Sequence, residues 1–364
     1  MATELSIRDV WERRDVGGKL LRMGLLPAAA IYRVAIQLRN FLFARGWLRT
    51  LKLPRPVISV GNLTVGGTGK TPTCLWLAQE LTRRGFKVGI LSRGYKRKAD
   101  IPVILRPNGA VTADLDDSSE VQNSGDEPLM MARLYGQTVG VSRDRAEAAA
   151  SLLREQDVDV FILDDGFQHR QVKRDVDLLL LGQDSAGWLL PAGPFREPKG
   201  NLRRADFWLT TGGNGAWRAA IPADHAASSF TASLAPVSLV GVSSQGSREF
   251  PLTLLYRSKI LTVTGIADPR GLYRHIHEWE GEIVDTLEFP DHHFYTARDW
   301  QQISRMARLV DLVITTEKDI LKLCRFPFAR DKLLALRVAM AVENGDALVG
   351  AIVEKLEHAR GAVK

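Results

Sequence analysis

Cysteine is scarce: Cys74 and Cys324 are the only two in 364 residues, far apart and without C-x-x-C spacing. That argues against a disulfide framework and a cysteine-built zinc site, and it points to a reducing compartment. Low-complexity tracts are also missing, and 45% hydrophobic with 25% charged residues is the composition of a folded chain, long enough for two domains. A membrane-spanning helix needs about 20 apolar residues. Within the first 55 residues the longest uncharged run, Met23 to Tyr32, is interrupted by Pro27 and lies too far inside the chain for a secretory signal. The segment is therefore not expected to span.

Negative charge is missing from one stretch. From Val16 to Arg55 there is no acid, only Lys19, Arg22, Arg33, Arg39, Arg45, Arg49, Lys52 and Arg55 among Leu, Met, Ile, Phe and Trp. Residues 1–55 hold eleven Lys or Arg against four acids, and the other 309 residues carry 38 of each sign, so the whole net charge of +7 precedes residue 56. Three readings fit this basic amphipathic segment. An interfacial helix on anionic lipid uses both the charge, at up to ~1 kcal/mol per basic residue, and the apolar face. A solvated helix packed on the domain is the plain alternative. Nucleic acid would attract the charge but has no use for Leu25, Leu26, Ile31, Ile36, Leu42 and Phe43 beside it. A membrane surface is the expected partner, and nucleic acid is not.

What is present is a glycine cradle. Ile58 to Thr71 reads ISVGNLTVGGTGKT, a β-branched run that breaks into glycines at a helix start. Gly66, Gly67 and Gly69 lack the Cβ atoms that would keep backbone N–H groups from converging on an anion, and the helix adds its positive end. Thr64, Val65, Gly66, Gly67, Thr68, Gly69, Lys70 and Thr71 are thus the candidate ATP-binding loop, with Lys70 on the β- and γ-phosphates and Thr71 on Mg²⁺. Two expected residues are absent. Position 64 is Thr where the G-x-x-x-x-G-K-[ST] loop has glycine, and position 65 is Val where one GG-x-GK-T branch carries lysine. The second absence disfavours a dimer-linked mechanism that borrows a lysine in trans.

After the cradle, helix 70–84, strand 87–91, helix 127–135, strand 138–141, helix 144–155 and strands 158–163, 177–181 and 206–210 alternate. This predicts an α/β fold: a P-loop NTPase-like, mostly parallel sheet sandwiched by helices, with ligands at the carboxyl ends of strands. A second alternation runs from strand 260–264 to a last helix at 344–358. The expected organisation is a basic amphipathic segment (1–55) attached to a P-loop domain (56–222), a Gly/Ala/Ser/Pro-rich linker or hairpin (223–256) and a second, smaller α/β domain (257–364). The last helix is free to return to the first domain.

Three constellations carry candidate chemistry. Asp159 to Arg170, DVFILDDGFQHR, is an apolar strand that delivers two carboxylates at its end and turns on Gly166. Asp164 follows the strand directly and is the metal-side candidate, while Asp165 should point to the other side of the chain. Gly125-Asp126-Glu127-Pro128 puts two acids at a helix start, where simple capping by Asp126 is the bland reading. Asp291-His292-His293 follows a strand and Pro290; a surface loop explains it equally, although a histidine with a carboxylate suits deprotonation of a hydroxyl near neutral pH.

The strings ISVGNLTVGGTGKTP, LSRGYKR, GDEP, LDDGFQHR, LLPAGPFREP, FPDHHFY and TTEKD occur in an order that resembles the tetraacyldisaccharide 4′-kinases, the lipid A 4′-kinases of Gram-negative bacteria. The resemblance covers nearly the whole chain to Asp319. It implies a peripheral enzyme on the cytoplasmic face of the inner membrane that moves the γ-phosphoryl of ATP, with Mg²⁺, to the 4′-hydroxyl of a tetraacyldisaccharide 1-phosphate, giving lipid IVA. By motif, it implies Asp126 and His292 as the catalytic acid and histidine, leaves His293 open as the alternative, and puts Asp165, a further catalytic candidate, with Asp164 in the acidic motif. Asn62, Arg93, Glu127, Gln168, His169, Arg196, Glu317 and Lys318 lie in family motifs without a derivable role. No obligate protein partner is evident.

Two rivals belong to other classes. A membrane-recruited ATPase or GTPase switch acting on a protein partner would share the cradle, but a GTPase of that kind needs N-K-x-D, and TTEKD at 315–319 has the wrong spacing. A non-enzymatic lipid-binding protein would use nucleotide only structurally.

Overall fold

The computed structural model describes residue 11 and residues 15–107, 117–182, 187–212, 217, 220–221, 227–243, 246–326 and 332–361. The expected boundary at 222–223 lies outside the described residues. The first half of the chain forms α1 (Val16–Ala44), β1 (Val57–Asn62), α2 (Lys70–Arg83), β2 (Val88–Ser92), β3 (Val103–Leu105), α3 (Asp117–Ser124), α4 (Asp126–Tyr135), β4 (Val139–Val141), α5 (Arg145–Glu155), β5 (Val160–Asp164) and β6 (Val176–Leu181). The second half forms β7 (Phe207–Thr211), β8 (Ser229–Ser243), β9 (Gly246–Phe250), β10 (Lys259–Thr264), α6 (Arg270–Glu278), β11 (Glu282–Glu288), α7 (Ala297–Ala307), β12 (Leu312–Thr316), α8 (Glu317–Leu323), β13 (Leu333–Val342) and α9 (Gly345–Gly361).

The chain divides into two compact units, one of Met1–Lys70, Leu163–Ser233 and Val342–Lys364, the other of Thr71–Ile162 and Leu234–Ala341. In the first, β6 pairs parallel with β1 on one side and β7 on the other, and β7 pairs parallel with the start of β8. β1 and β6 are buried along their whole length, as expected of parallel strands covered on both faces. Leu63, Phe167, Phe195, Trp208 and Trp217 are fully buried in one cluster. Side chains of this size contribute about 1.5–3 kcal/mol each on burial.

α1 belongs to this unit. Asp15 caps it by accepting from Gly18 N at 3.1 Å. One face is tied down, with Tyr32 Oη donating to Arg196 O (2.9 Å), Asn40 Nδ2 to Glu197 (3.0 Å) and Arg170 to Asn40 O (2.9 Å). The other exposes Leu20, Ile31, Val34, Leu38 and Phe41 at helical spacing. By length and composition Gly17–Ala44 is apolar enough to cross a membrane, with mean hydropathy 1.2 and only 11% buried. This corrects the expectation that the segment is too short of apolar residues. That expectation required an unbroken uncharged run, whereas the helix continues through Pro27 and carries its few basic residues within an otherwise apolar length.

In the second unit β2 and β4 pair parallel and β3 adds antiparallel to β4. β11, β10, β12 and β13 pair in that order, all parallel, and the far part of β8 forms an antiparallel pair with β9. The architecture is the mixed, mostly parallel sheet with helices that alternation predicts. Leu239, Leu255, Ile260, Ile276, Ile314 and Leu336 form a core of this unit. α4 packs against α8, which matters for the site.

Candidate active site

In the first unit, the cradle rests on a frame built from two glycine-dependent approaches. A Cβ on Gly61 would lie 2.6 Å from Phe167 Cβ, and one on Gly166 would lie 2.7 Å from Leu163 Cβ and 2.8 Å from Ser59 Oγ, so the turn after β5 can lie on β1 only with glycine at both places. The loop's base is held by the 194–196 segment. Thr64 bridges Phe195, Val65 N donates to Pro194 O (2.8 Å), and Arg196 N donates to Leu63 O (2.8 Å). Thr64 is therefore buried strand-like backbone rather than a loop glycine, and Val65's amide belongs to the frame.

Beyond it the cradle opens. A Cβ on Gly66 or Gly67 would meet nothing within 4 Å, while φ of +122° at Gly66 and +84° at Gly69 lie where side chains are strained. Asn62 organises the interior, its Nδ2 donating to Thr68 Oγ1 (2.8 Å) and its Oδ1 accepting from Lys70 Nζ (3.3 Å). Lys70 is also 3.6 Å from Asp165, which Arg196 Nη1 contacts at 2.8 and 3.0 Å. Gln168 Nε2 donates to Asn62 O (2.9 Å). Asp165 has φ of +51°, a left-handed turn position that swings its carboxylate to these cations, while Asp164 stays buried at the end of β5.

Gln168 and His169, with Arg39, Phe43, Arg49 and Arg170, line a cavity of about 480 Å³ beside α1. Burial and the neighbouring Arg204 and Arg174 push the Arg170 guanidinium down to about 10, only partly offset by Glu197. Such crowding of positive charge favours an anion.

In the second unit, α4 begins with Gly125 at its N-cap position rather than Asp126. Gly94 and Gly125 lie back to back: a Cβ on Gly94 would meet Ser124 O at 2.5 Å, and one on Gly125 would meet Gly94 Cα at 3.2 Å. This close approach brings the LSRGY loop against the GDEP helix start. Asp126 is buried, with both carboxylate oxygens 2.9 Å from His292 Nδ1. Tyr95 lies over the imidazole at 5.1 Å between ring centroids, and Lys96 donates to Asp291 O at 3.0 Å. His293 instead contacts Asp299 (3.0 Å) and stacks on Phe289. Geometry thus separates the two histidines.

Burial works to raise the Asp126 pKa, but the hydrogen bond and charge of His292, with Lys322 and Lys318, hold the carboxyl well below its usual range. Burial likewise works against a charged His292, yet the hydrogen bond and charge of Asp126, with Asp291, raise the imidazole above 6.5. The pair titrates as a unit. Beside it, Thr71 Oγ1 is 3.4 Å from Glu127 Oε2, and Lys318 pairs with Glu127.

Two motif residues lie apart from these clusters. Glu317 points the other way from Lys318, accepting from Tyr135 Oη (2.7 Å) and Arg337 Nε (2.8 Å) in a buried network. Arg93 is exposed and makes no hydrogen bond or ion pair among the described residues. Sequence reasoning missed Tyr95, Arg337 and Lys322. Lys322 left one signal, the i,i+3 spacing from Asp319 that puts both on one helix face.

The family model for tetraacyldisaccharide-1-P 4′-kinase (LpxK) matches residues 21–357. The chain is 37% identical over 314 residues to a tetraacyldisaccharide 4′-kinase of Syntrophus aciditrophicus, covering 80% of this chain and 82% of the relative. It is 35% identical to that of Herminiimonas arsenicoxydans, over 95% of this chain and 94% of the relative. The crystal structure of LpxK from Aquifex aeolicus in complex with ATP superposes with a TM-score of 0.75 at 32% identity, covering 92% of this chain and 99% of that one. With a matching fold and a family model spanning nearly its whole length, the chain belongs to the tetraacyldisaccharide 4′-kinase family.

Proposed function

We propose that this protein transfers the γ-phosphoryl of ATP to the 4′-hydroxyl of a tetraacyldisaccharide 1-phosphate, giving lipid IVA. The observation that carries the chemistry is the buried Asp126–His292 contact, a carboxylate and imidazole 166 residues apart in the chain yet 2.9 Å apart in space. ATP would lie on the 64–71 loop with Lys70 on its phosphates. Asn62, Asp165, Gln168 and Arg196 would fix the Lys70 ammonium.

Thr71 and Asp164 would hold Mg²⁺. Both offer hard oxygen donors, the kind of ligand Mg²⁺ takes together with substrate phosphates. When bound, the ion neutralises phosphate charge. Glu127, itself paired with Lys318, would orient the Thr71 hydroxyl.

Asp126 accepts the proton of the 4′-hydroxyl as its oxygen attacks phosphorus in line, and because Asp126 is the weaker base of the pair the proton comes to rest on His292. Positioning and charge neutralisation do most of the work. The exposed apolar stripe of α1 and the acid-free stretch around it would hold the enzyme on the anionic cytoplasmic face of the inner membrane, and the arginines beside α1 would attract an anionic lipid.

The test is transfer of labelled γ-phosphate to tetraacyldisaccharide 1-phosphate in detergent. Lys70→Ala should lower transfer on the order of 10³-fold, the scale for removing a group that stabilises transition-state charge. ATP hydrolysis that proceeds equally without lipid acceptor would favour the switch reading and sink this one.

A further inference from the structure

The Asp126–His292 pair belongs to a closed ring in which one member is a lysine that no motif reading identifies. Lys322 Nζ lies 2.8 Å from Asp319 Oδ1 and 3.5 Å from Asp126 Oδ2, and its side chain is 3% exposed. The other oxygen of Asp319 accepts from Gly265 N at 2.9 Å, Gly265 O accepts from His292 N at 3.0 Å, and His292 Nδ1 returns to Asp126. Lys322 enters the ring through ion-pair contacts of 2.8 and 3.5 Å, and the ring is tight at Gly265, where a Cβ would come within 3.0 Å of Asp319 Oδ1 and 3.2 Å of Tyr295 Oη.

His292 needs such support. Its φ of +60° is in the left-handed region, which side chains seldom adopt and which persists where surroundings enforce it. Asp319 is well placed to enforce it. Its backbone N and carboxylate are both bonded to Thr316 Oγ1 at the start of α8 (3.2 and 2.7 Å), so the carboxylate is fixed to a helix and not to a loop. Lys322, one turn further along α8, joins that anchor to the residue on which the transferred proton arrives.

We propose that Lys322 is a positioning residue for the phosphoryl transfer: buried between Asp319 and Asp126, it locks the turn that carries His292 to the carboxylate that His292 binds, and sets the charge at the pair. Lys322 is too enclosed to touch substrate and acts through Asp126. The inference rests on the reading of Asp126 and His292 given above.

Among the described residues, two helices and two loops supply the charged and titratable groups facing the pair. α4 contributes Glu127. α8 contributes Lys318, Asp319 and Lys322. The turn after β11 contributes Asp291, with Oδ2 3.7 Å from His292 Nε2, and the loop after β2 contributes Tyr95 and Lys96. Removing the Lys322 cation makes this environment more negative and favours protonated His292. Removing the Asp319 charge does the reverse.

The experiment is the pH dependence of kcat/KM for lipid phosphorylation in the full-length protein. Lys322→Met should lower kcat at least tenfold with KM for ATP within about twofold, and move the acid limb to higher pH; Lys322→Arg should return the limb towards its original place. Asp319→Asn should move the same limb to lower pH. Opposite shifts are a signature that simple loosening of the fold does not produce, and Asp319→Asn alone tests the sign if Lys322→Met does not fold. In an Asp126→Asn background, Lys322→Met should cost less than twofold more, because its effect runs through Asp126.

Unchanged kcat and limb in Lys322→Met, or limbs that move the same way in Lys322→Met and Asp319→Asn, overturn the proposal. Failure of the underlying reading looks different: Asp126→Asn would then keep wild-type kcat whatever Lys322 does.

Discussion

Asp165 and Asp126 both follow or precede a glycine at a turn, yet the fold gives them unlike company. The Asp165 side chain is 37% exposed and meets the Arg196 guanidinium and the Lys70 ammonium. The Asp126 side chain is 7% exposed and meets an imidazole. An acid among such groups organises charge, whereas one bonded to histidine touches the side chain suited to proton exchange near neutral pH. The sequence placed both residues among the catalytic candidates; on the proposed function only Asp126 handles the proton, and Asp165 serves Lys70.

The largest test of this contrast is a pair of isosteric variants. Asp126→Asn should reduce kcat by about 10²-fold or more, the usual worth of a positioned base, with KM for ATP little changed. Asp165→Asn should act mainly through KM for ATP, since it loosens Lys70. Steady-state kinetics with lipid acceptor distinguish them, and equal losses of kcat would break the comparison.

A smaller effect sharpens it. Because His292 is raised above 6.5, activity should fall on the acid side with a midpoint above that value, as the pair loses its room for another proton. The limb should survive in Asp165→Asn and vanish in His292→Gln. Stability runs the opposite way. An imidazole whose pKa is raised by folding stabilises the fold fully below 6.5, and that contribution fades as pH rises through the folded value. Thermal melts across pH 5–9 should show wild type losing this increment while activity climbs, and His292→Gln lacking it.

The smallest effect concerns the neighbouring histidine. His293→Ala removes a contact to Asp299 and a stacked ring, so it should change kcat by less than about threefold while costing about 1 kcal/mol in urea unfolding. A loss of kcat matching that of His292→Ala would undo the separation of the two.

Much of the fold was legible because its signals are local. β6 and β10 read as apolar runs, α4 and α5 as periodic stretches, and the cradle as glycines before a helix. β3 was missed because three residues carry too little pattern. α8 was missed because TTEKDILKL reads as a charged loop until packing on α4 buries it. α1 was legible as a basic amphipathic helix, and only its apolar length was undercounted, because a rule about unbroken uncharged runs stops at each arginine.

The sequence by itself determined that a glycine-rich loop runs into Lys70 and Thr71 at a helix start, that all surplus positive charge precedes residue 56, and which family's motifs the chain carries. Those are properties of neighbours along the chain, where spacing and residue type suffice. Only the tertiary structure decided that His292 rather than His293 meets Asp126, that Asp165 turns to Arg196 and Lys70, and that Lys322 closes the ring between Asp126 and Asp319. Contacts between residues more than a hundred positions apart depend on which helices and turns pack together. Burial then settles which charges feel one another, and no local pattern records either.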